Sequence, residues 1–162
     1  MKTTAFALWF TVCTLVLATD LAAQTWQPAG PSPRSSHSAV LDSTTNSVIV
    51  FGGHEAPDNG GPVNLNDVWK LNSNLTWTAL HPTGTAPQAR LGHTAVYDSA
   101  NNQMIVFGGG EGSTSPCAND VWELTNANGK GAVPTWTQLS PGGSAPAPRI
   151  QHGAATTRRA TR

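Results

Sequence analysis

The sequence RSSHSAVLD at residues 34–42 returns as RLGHTAVYD at residues 90–98, at an offset of 56 residues. Nine residues after the aspartate that ends each copy stands the phenylalanine of a second matched pair, VIVFGG at 48–53 and MIVFGG at 104–109. Two segments that return in the same order and at the same spacing belong to one repeated unit. A repeat of this kind is considered before any local pattern, because it decides the fold.

The repeat continues through two tryptophan motifs. NDVWKL at 66–71 is matched by NDVWEL at 119–124, and TWTAL at 76–80 by TWTQL at 135–139. A third copy opens at Arg149 with RIQHGA, and the pattern stops there. Between the two copies, the spacing shortens by three residues before the first tryptophan motif and lengthens by six before the second. The length changes therefore fall between the motifs, where loops are expected.

Each motif is typical of a short β-strand. Residues 37–42 and 47–52 are rich in β-forming residues, and the turn-forming sequence STTN at 43–46 separates them, which predicts a hairpin. The tryptophan motifs alternate polar and apolar residues, as half-buried strands do, and no segment has helical periodicity. Four strands per repeat predict the blades of a β-propeller.

In combination, the motifs Arg-x-x-His-x-Ala, a hydrophobic run into Gly-Gly, Asn-Asp-Val-Trp and Trp-x-x-Leu closely resemble the kelch repeat. They are especially similar to the longer repeats of bacterial and galactose-oxidase-like kelch propellers. The resemblance covers residues 26–154 and implies an all-β fold of four-stranded antiparallel blades packed radially around an axis. We expect a kelch-repeat region at 24–155, with blades at 37–80 and 93–139, a partial third blade from 149, and an irregular Arg-rich tail at 156–162.

Two and a half blades do not close a propeller, which has about four to eight. We therefore expect a fragment of a longer kelch protein. Two alternatives stay open, namely assembly of several copies into a ring and a two-blade module docked to a partner. In each case the exposed blade faces are large and apolar, which predicts self-association through them.

The first 23 residues have the layout of a secretory signal peptide. Lys2 precedes an apolar stretch at 5–18, and small residues then predict cleavage near Ala23-Gln24. The stretch is short for a membrane span, although a retained anchor is the alternative. We expect a secreted or periplasmic protein with no membrane span after cleavage. The balance of 9 basic and 9 acidic residues disfavours nucleic acid as a partner.

Residues that recur in each copy are predicted to serve the scaffold. The arginines have donors for backbone carbonyls or for the recurring aspartates, the paired glycines permit close backbone approach, and the tryptophans pack between blades or on outer strands. These positions are Arg34, His37, Gly52, Gly53, Asp67, Trp69, Trp77, Arg90, His93, Gly108, Gly109, Asp120, Trp122, Trp136, Arg149 and His152.

Function in repeat folds tends to lie in loops that differ between copies. Here these are the loops at 53–66 and 109–119, and the candidate binding residues in them are His54, Glu55, Asp58, Glu111 and Ser113. They predict a binding module for protein or carbohydrate, with no catalytic residue, metal or cofactor. The alternative is the N-terminal part of a galactose-oxidase-like or sugar-epimerase-like propeller enzyme whose catalytic residues lie outside this chain.

Overall fold

The computed structural model describes residues 30–56, 60–112 and 116–156, and within these ranges the chain is all β. The predicted signal peptide lies outside the described residues. No helix in the described ranges has the length and apolar character needed to cross a membrane. The described strands are β1 (Ser38–Asp42), β2 (Ser47–Glu55), β3 (Val63–Leu71), β4 (Trp77–Leu80), β5 (Thr83–Gly84), β6 (Thr94–Asp98), β7 (Gln103–Gly109), β8 (Ala118–Thr125) and β9 (Thr135–Leu139).

The strands form two sheets that correspond to the two sequence copies. Blade 1 has the order β1-β2-β3-β4, and blade 2 has β6-β7-β8-β9, each antiparallel throughout. The prediction of four antiparallel strands per blade is confirmed. The sequence did not predict β5, which comes from the link between the blades and adds a short parallel strand to the outer edge of β9. It begins with a hydrogen bond of 2.9 Å from the Thr83 N–H to the Pro134 carbonyl.

The first hairpin of each blade turns where the sequence predicts it. Asp42 and Asp98 each accept a hydrogen bond of 2.9 Å from the backbone N–H two residues further on. Asn46 and Asn102 then adopt φ values of 49° and 53°. Aspartate closes such turns through its own side chain, and asparagine tolerates the left-handed region. The two turns therefore have the same construction.

The second glycine of each Gly-Gly pair is required by a close approach. Gly53 and Gly109 have φ values of 99° and 97°, and the register of the sheet shifts beside each of them. A Cβ at Gly53 would lie 2.8 Å from the Cβ of His37, and one at Gly109 would lie 2.8 Å from the Cβ of His93. Only glycine has room at these positions, which are equivalent in the two copies.

The hydrophobic core lies between the two blades. The fully buried ring of Phe51 has its centroid 5.0 Å from the ring of His93 and 5.0 Å from that of Trp136, so both rings of blade 2 pack against it. The first strands of the two blades, β1 and β6, contact each other, as expected around a common axis. The buried members of this core are Val40, Ile49, Phe51, Val68, Met104, Val106, Trp122, Leu124, Ala127 and Trp136.

A buried polar cluster joins the blades beside this core. The Lys70 ammonium donates to the carbonyl of Asn128 (2.8 Å), and the Asn128 side chain donates to Asp42 (2.9 Å). Burial lowers the pKa of Lys70. Burial alone would raise the pKa of Asp42. Hydrogen bonds from Thr44, Thr45 and Asn128 outweigh burial and hold the pKa of Asp42 well below its usual range. Asn128 lies in the β8–β9 loop, the segment that is six residues longer in the second copy.

Candidate functional site

The recurring arginine and aspartate of each blade form an ion pair. Arg34 donates through both terminal nitrogens to the Asp67 carboxylate (2.6 and 2.9 Å) and also to the Gly52 carbonyl (3.1 Å). Arg90 makes the same contacts with Asp120 (2.7 and 2.9 Å) in blade 2. Each guanidinium is thus satisfied within its own blade, an arrangement that suits a scaffold role.

The tryptophan that follows each aspartate completes this group. The indole N–H of Trp69 donates to Asp67, and that of Trp122 to Asp120, both at 2.6 Å. Burial raises the pKa of each carboxyl, but the hydrogen bonds from arginine and tryptophan outweigh it and leave the pKa below its ordinary value. Both carboxylates are therefore ionised and engaged at neutral pH. Neither is available to serve as a general acid or base.

Arg149 has the same local geometry as Arg34 and Arg90 but lacks their aspartate partner among the described residues. Its Nε donates to the Ala147 carbonyl at 3.0 Å, just as Arg34 and Arg90 donate to the carbonyls two residues before them. Among the residues that the structure describes, no carboxylate lies within ion-pair distance of Arg149. Its backbone carbonyl accepts from the Gly109 N–H at 2.9 Å, so the segment is docked on blade 2.

The recurring histidines lie at the same position but differ in their surroundings. His93 is buried, and its Nε2 lies 2.9 Å from the Ser38 hydroxyl of blade 1. His152 is half-buried, with its Nε2 2.9 Å from the Thr94 hydroxyl of blade 2, whereas His37 is exposed. Burial, and then the nearby Arg90 charge, lower the pKa of His93 to about 4. It is therefore neutral at neutral pH, as packing against the preceding blade requires.

The tryptophans of the two blades differ in burial. Trp122 and Trp136 are buried in the core between the blades, whereas Trp69 and Trp77 of blade 1 are half-buried. Trp136 starts from the outer strand β9, as its sequence position predicts, but its ring reaches Phe51 of blade 1. Its contribution is therefore to the contact between blades.

The variable loops join β2 to β3 and β7 to β8, so they meet at the strand ends opposite the β1–β2 turn. His54 and Glu55 end β2 and are half-buried, and Glu111 follows β7 and is exposed. Asn64 links the two loops, because its side-chain amide donates to the Glu111 carbonyl at 2.6 Å and its oxygen lies 3.3 Å from Nδ1 of His54. Two further predicted binding residues, Asp58 and Ser113, lie outside the described residues.

A small pocket opens beside Glu111. Its volume is about 110 Å³, well below the roughly 300–1,000 Å³ of ordinary small-molecule sites. It accommodates a single side chain rather than a whole ligand. Glu111 is in the pocket wall, whereas His54 and Glu55 are not. The lining residues are Gln88, Ala89, Arg90, Gly110, Glu111, Pro116 and Ala118.

Sequence reasoning missed Asn64 and the contribution of the link that precedes each blade. Asn64 lies three residues before Asp67, and the equivalent position in the second copy is Cys117. Cysteine cannot make the amide contacts of Asn64. This departure from the repeat was visible in the sequence and is the signal that would have identified Asn64. Across the described part of the chain, no three metal-binding side chains converge.

The chain spans about a third or less of the length of the similar proteins described here. The Rab9 effector protein with kelch motifs of Mus musculus is 34% identical over 137 residues, which cover 82% of this chain and 34% of that protein. Host cell factor 2 of Homo sapiens is 33% identical over 107 residues, covering 60% of this chain and 12% of that protein. The flagellar outer-arm dynein alpha chain of Chlamydomonas reinhardtii is 32% identical over 128 residues, covering 76% and 3%.

One solved structure, titled "Structure of YjhT", is also similar. It is 24% identical, covers 73% of this chain and 31% of that chain, and superposes with a TM-score of 0.44. This likeness is too low to support an argument about fold or function.

The prediction of a secreted or periplasmic protein is wrong. The similar proteins are a Rab9 effector, host cell factors and a flagellar dynein, which are intracellular proteins. The prediction depended on an apolar stretch with small residues at its end, and this is a feature of composition alone. Composition of that kind does not determine the compartment in which a chain works.

The repeated motifs agree with a family model. The model described as the KLHDC2/KLHL20/DRC7 Kelch-repeats domain matches residues 10–161 and thus contains both blades. The chain belongs to the kelch-repeat family.

Proposed function

We propose that this chain is a protein-binding module whose partner is held at the loop face, meaning His54, Glu55, Asn64, Glu111 and the pocket beside Glu111. The carrying observation is the hydrogen bond of 2.6 Å from Asn64 to the Glu111 carbonyl, which fixes the loop of one blade to that of the other. This contact ties Asn64 of blade 1 to Glu111 of blade 2 before a partner arrives. Such preorganisation lowers the entropic cost of binding.

The chemistry of the face favours a particular kind of partner. The pocket is lined mainly by small and apolar groups, with Arg90 and Glu111 in its wall, and Glu55 ends strand β2 of the other blade. The charge of Arg90 is already paired with Asp120. A pocket of about 110 Å³ suits one aliphatic side chain, and the carboxylates favour a basic residue beside it. We therefore propose an extended peptide segment with a short aliphatic residue next to lysine or arginine. Kelch-motif relatives named as an effector and as host cell factors support a protein partner.

The other binding proposals receive less support. Carbohydrate binding and the enzyme alternative rest only on the family resemblance, and no contact among the described residues favours them. A second copy of the chain is a further proposed partner, because the blade faces that point away from each other are apolar. Asp58 and Ser113 stay proposed members of the loop face.

Selection of peptides from a displayed random library tests the loop face. We expect enriched peptides to carry an aliphatic residue beside a basic one, and Glu111→Arg to abolish their binding. The matched control is Glu123→Arg, which makes the same charge change on a strand of blade 2 away from the loops. Failure to enrich any peptide, or equal loss of binding in both variants, would refute the proposal. Binding of the chain to a glycan array with no peptide enrichment would favour carbohydrate instead.

A further inference from the structure

The face of blade 2 that points away from blade 1 is termed here the outward face of blade 2. It resembles the face of blade 1 that packs against blade 2. By strand register, its apolar residues occupy the positions that contact blade 2 in blade 1. In blade 1 these positions are mostly buried in the core, and in blade 2 all of them are half-exposed. The pairs are Val40 and Val96, Ile49 and Ile105, Phe51 and Phe107, Val68 and Val121, and Leu80 and Leu139.

Blade 1 carries the complementary surface on its other side. This outward face of blade 1 has, at equivalent register positions, the residues that blade 2 buries against blade 1. Leu41 on this face is 60% exposed, whereas Val50 is only 5% exposed and Gly30 of the same chain already lies against the Trp77 ring. Docking here therefore requires the segment at Gly30 to move. The equivalent of Leu41 in blade 2, Tyr97, packs against the core. The other pairs are Ala39 and Ala95, Val50 and Val106, Trp69 and Trp122, Leu71 and Leu124, and Trp77 and Trp136.

We propose that a second copy of the chain docks its blade 1 on the outward face of blade 2, in the arrangement that blade 2 has on blade 1. This rests on the part of the proposed function that names a second copy as a partner, and it is independent of the loop face. The two contacting surfaces are different, so the contact is head-to-tail. Contacts of this kind extend to a closed ring or to an open filament, depending on the rotation between copies.

Glu123 distinguishes between the two blades that a second copy could dock on the outward face of blade 2. Glu123 stands on the outward face of blade 2 where blade 1 has Lys70, and Lys70 donates to the carbonyl of Asn128. A docked copy of blade 2 would present that same carbonyl to the Glu123 carboxylate, which is unfavourable because both accept hydrogen bonds. Blade 1 instead has the shorter turn at 72–76 in place of that loop, so a docked blade 1 brings no Asn128 carbonyl to Glu123. The charge change therefore favours blade 1.

A docking copy must compete with the segment at 149–152, because His152 of that segment already packs on the outward face of blade 2. The ring of His152 lies 5.1 Å from that of Phe107, just as His93 lies 5.0 Å from Phe51. In the docked copy, His37 would be the residue that packs on Phe107, as His93 packs on Phe51. The ring of His152 already lies on Phe107 in the undocked chain. Docking thus requires the segment at 149–152 to leave. We expect association to strengthen when that segment is held less firmly.

Sedimentation velocity of the full chain and its variants tests this arrangement. We expect the average mass of the unmodified chain to rise with concentration. Phe107→Glu blocks one surface and Leu41→Glu the other, so each variant alone should be monomeric. An equimolar mixture should form heterodimers and nothing larger, because each variant keeps one intact surface. Val133→Glu, at an exposed position in the β8–β9 loop, is the matched control and should associate normally.

The competing segment gives a second readout. His152→Ala should lower the dissociation constant severalfold, whereas general stickiness of exposed apolar surface predicts no such change. If Phe107→Glu lowers the melting temperature, Val121→Glu on the same face replaces it. A monomeric unmodified chain, a mixture without heterodimers, or an unchanged dissociation constant for His152→Ala would each overturn the inference. Peptide binding at the loop face is measured separately, so failure of one proposal leaves the other intact.

Discussion

Replacing Phe51 with alanine tests the contact between blades most directly. The ring is fully buried between His93 and Trp136 of the neighbouring blade. Phe-to-Ala changes in a packed core cost about 3–5 kcal/mol, because transfer energy is lost and a cavity remains. A domain of this kind has about 5–15 kcal/mol of total stability, so Phe51→Ala should remove a large part of it.

The matched control is the same substitution at the equivalent residue of the second copy. Phe107 is half-exposed and contacts His152 rather than a complete blade. Its truncation should cost about 1–2 kcal/mol, since only part of the ring is removed from water. The difference between the two variants, about 2–3 kcal/mol, reports the contact between blades alone. It is free of the intrinsic preferences of phenylalanine and alanine for a strand.

Urea unfolding followed by tryptophan fluorescence measures both variants, at concentrations where sedimentation shows monomers. With a slope of about 2 kcal/mol per molar urea, a loss of about 4 kcal/mol moves the midpoint by about 2 M. We expect that shift for Phe51→Ala and a shift below about 1 M for Phe107→Ala. Equal shifts would show that blade 2 does not cover Phe51 in solution, and the reasoning on blade packing would then be wrong.

The ion pairs and histidines yield further predictions. Asp120→Asn should cost about 2–3 kcal/mol by thermal unfolding, and Asp67→Asn less, because the Asp67 side chain is 38% exposed against 22% for Asp120. A larger cost for Asp67→Asn would contradict this order. The pKa of His93 is lowered from 6.5 to about 4, so the unfolded chain binds a proton between those pH values and the folded chain does not; stability should fall as the pH drops from 6.5 to 4. Calorimetry should find this slope reduced by His93→Gln and kept by His37→Gln. A smaller slope remains in His93→Gln because burial also lowers the pKa of His152. An undiminished slope in His93→Gln would be inconsistent with the buried site. Below about pH 4, the lowered pKa values of Asp67 and Asp120 add a second loss of stability as these carboxylates take up protons.

The repeated residues made the blades predictable. Paired glycines, aspartate-closed turns and the Asp-x-Trp motif each satisfy a local backbone or side-chain requirement, so their positions in the sequence determine where strands begin, bulge and end. Strand β5 was not predictable in this way. It forms because the Pro-rich link passes the edge of β9, a contact between segments about 50 residues apart that no local pattern encodes.

The loop face was predictable only in part, for the same reason. The sequence indicates which loops vary, and Glu111 does line the pocket. It does not indicate that Asn64 of blade 1 reaches the loop of blade 2, because that contact depends on how the blades pack. Some contacts between blades, such as that of Phe51 with His93, lie at repeated positions, whereas the contact of Asn64 lies where the repeat is broken. The sequence shows that break but not the partner that Asn64 contacts.

The two segments that differ in length between the repeats each place an asparagine in contact with the other blade. Asn64 at the loop face and Asn128 beside the core both lie next to segments whose lengths differ between the copies, and both bond to the other blade. Identical repeats would make the same contacts at every junction between blades, and such contacts do not distinguish one neighbour from another. The buried Asn128, which bonds to Lys70 and Asp42 of blade 1, supplies that distinction. An unsatisfied buried amide or ammonium costs about 1–3 kcal/mol. The repeated motifs therefore build the blades, while the non-repeated asparagines help to determine which blade lies beside which.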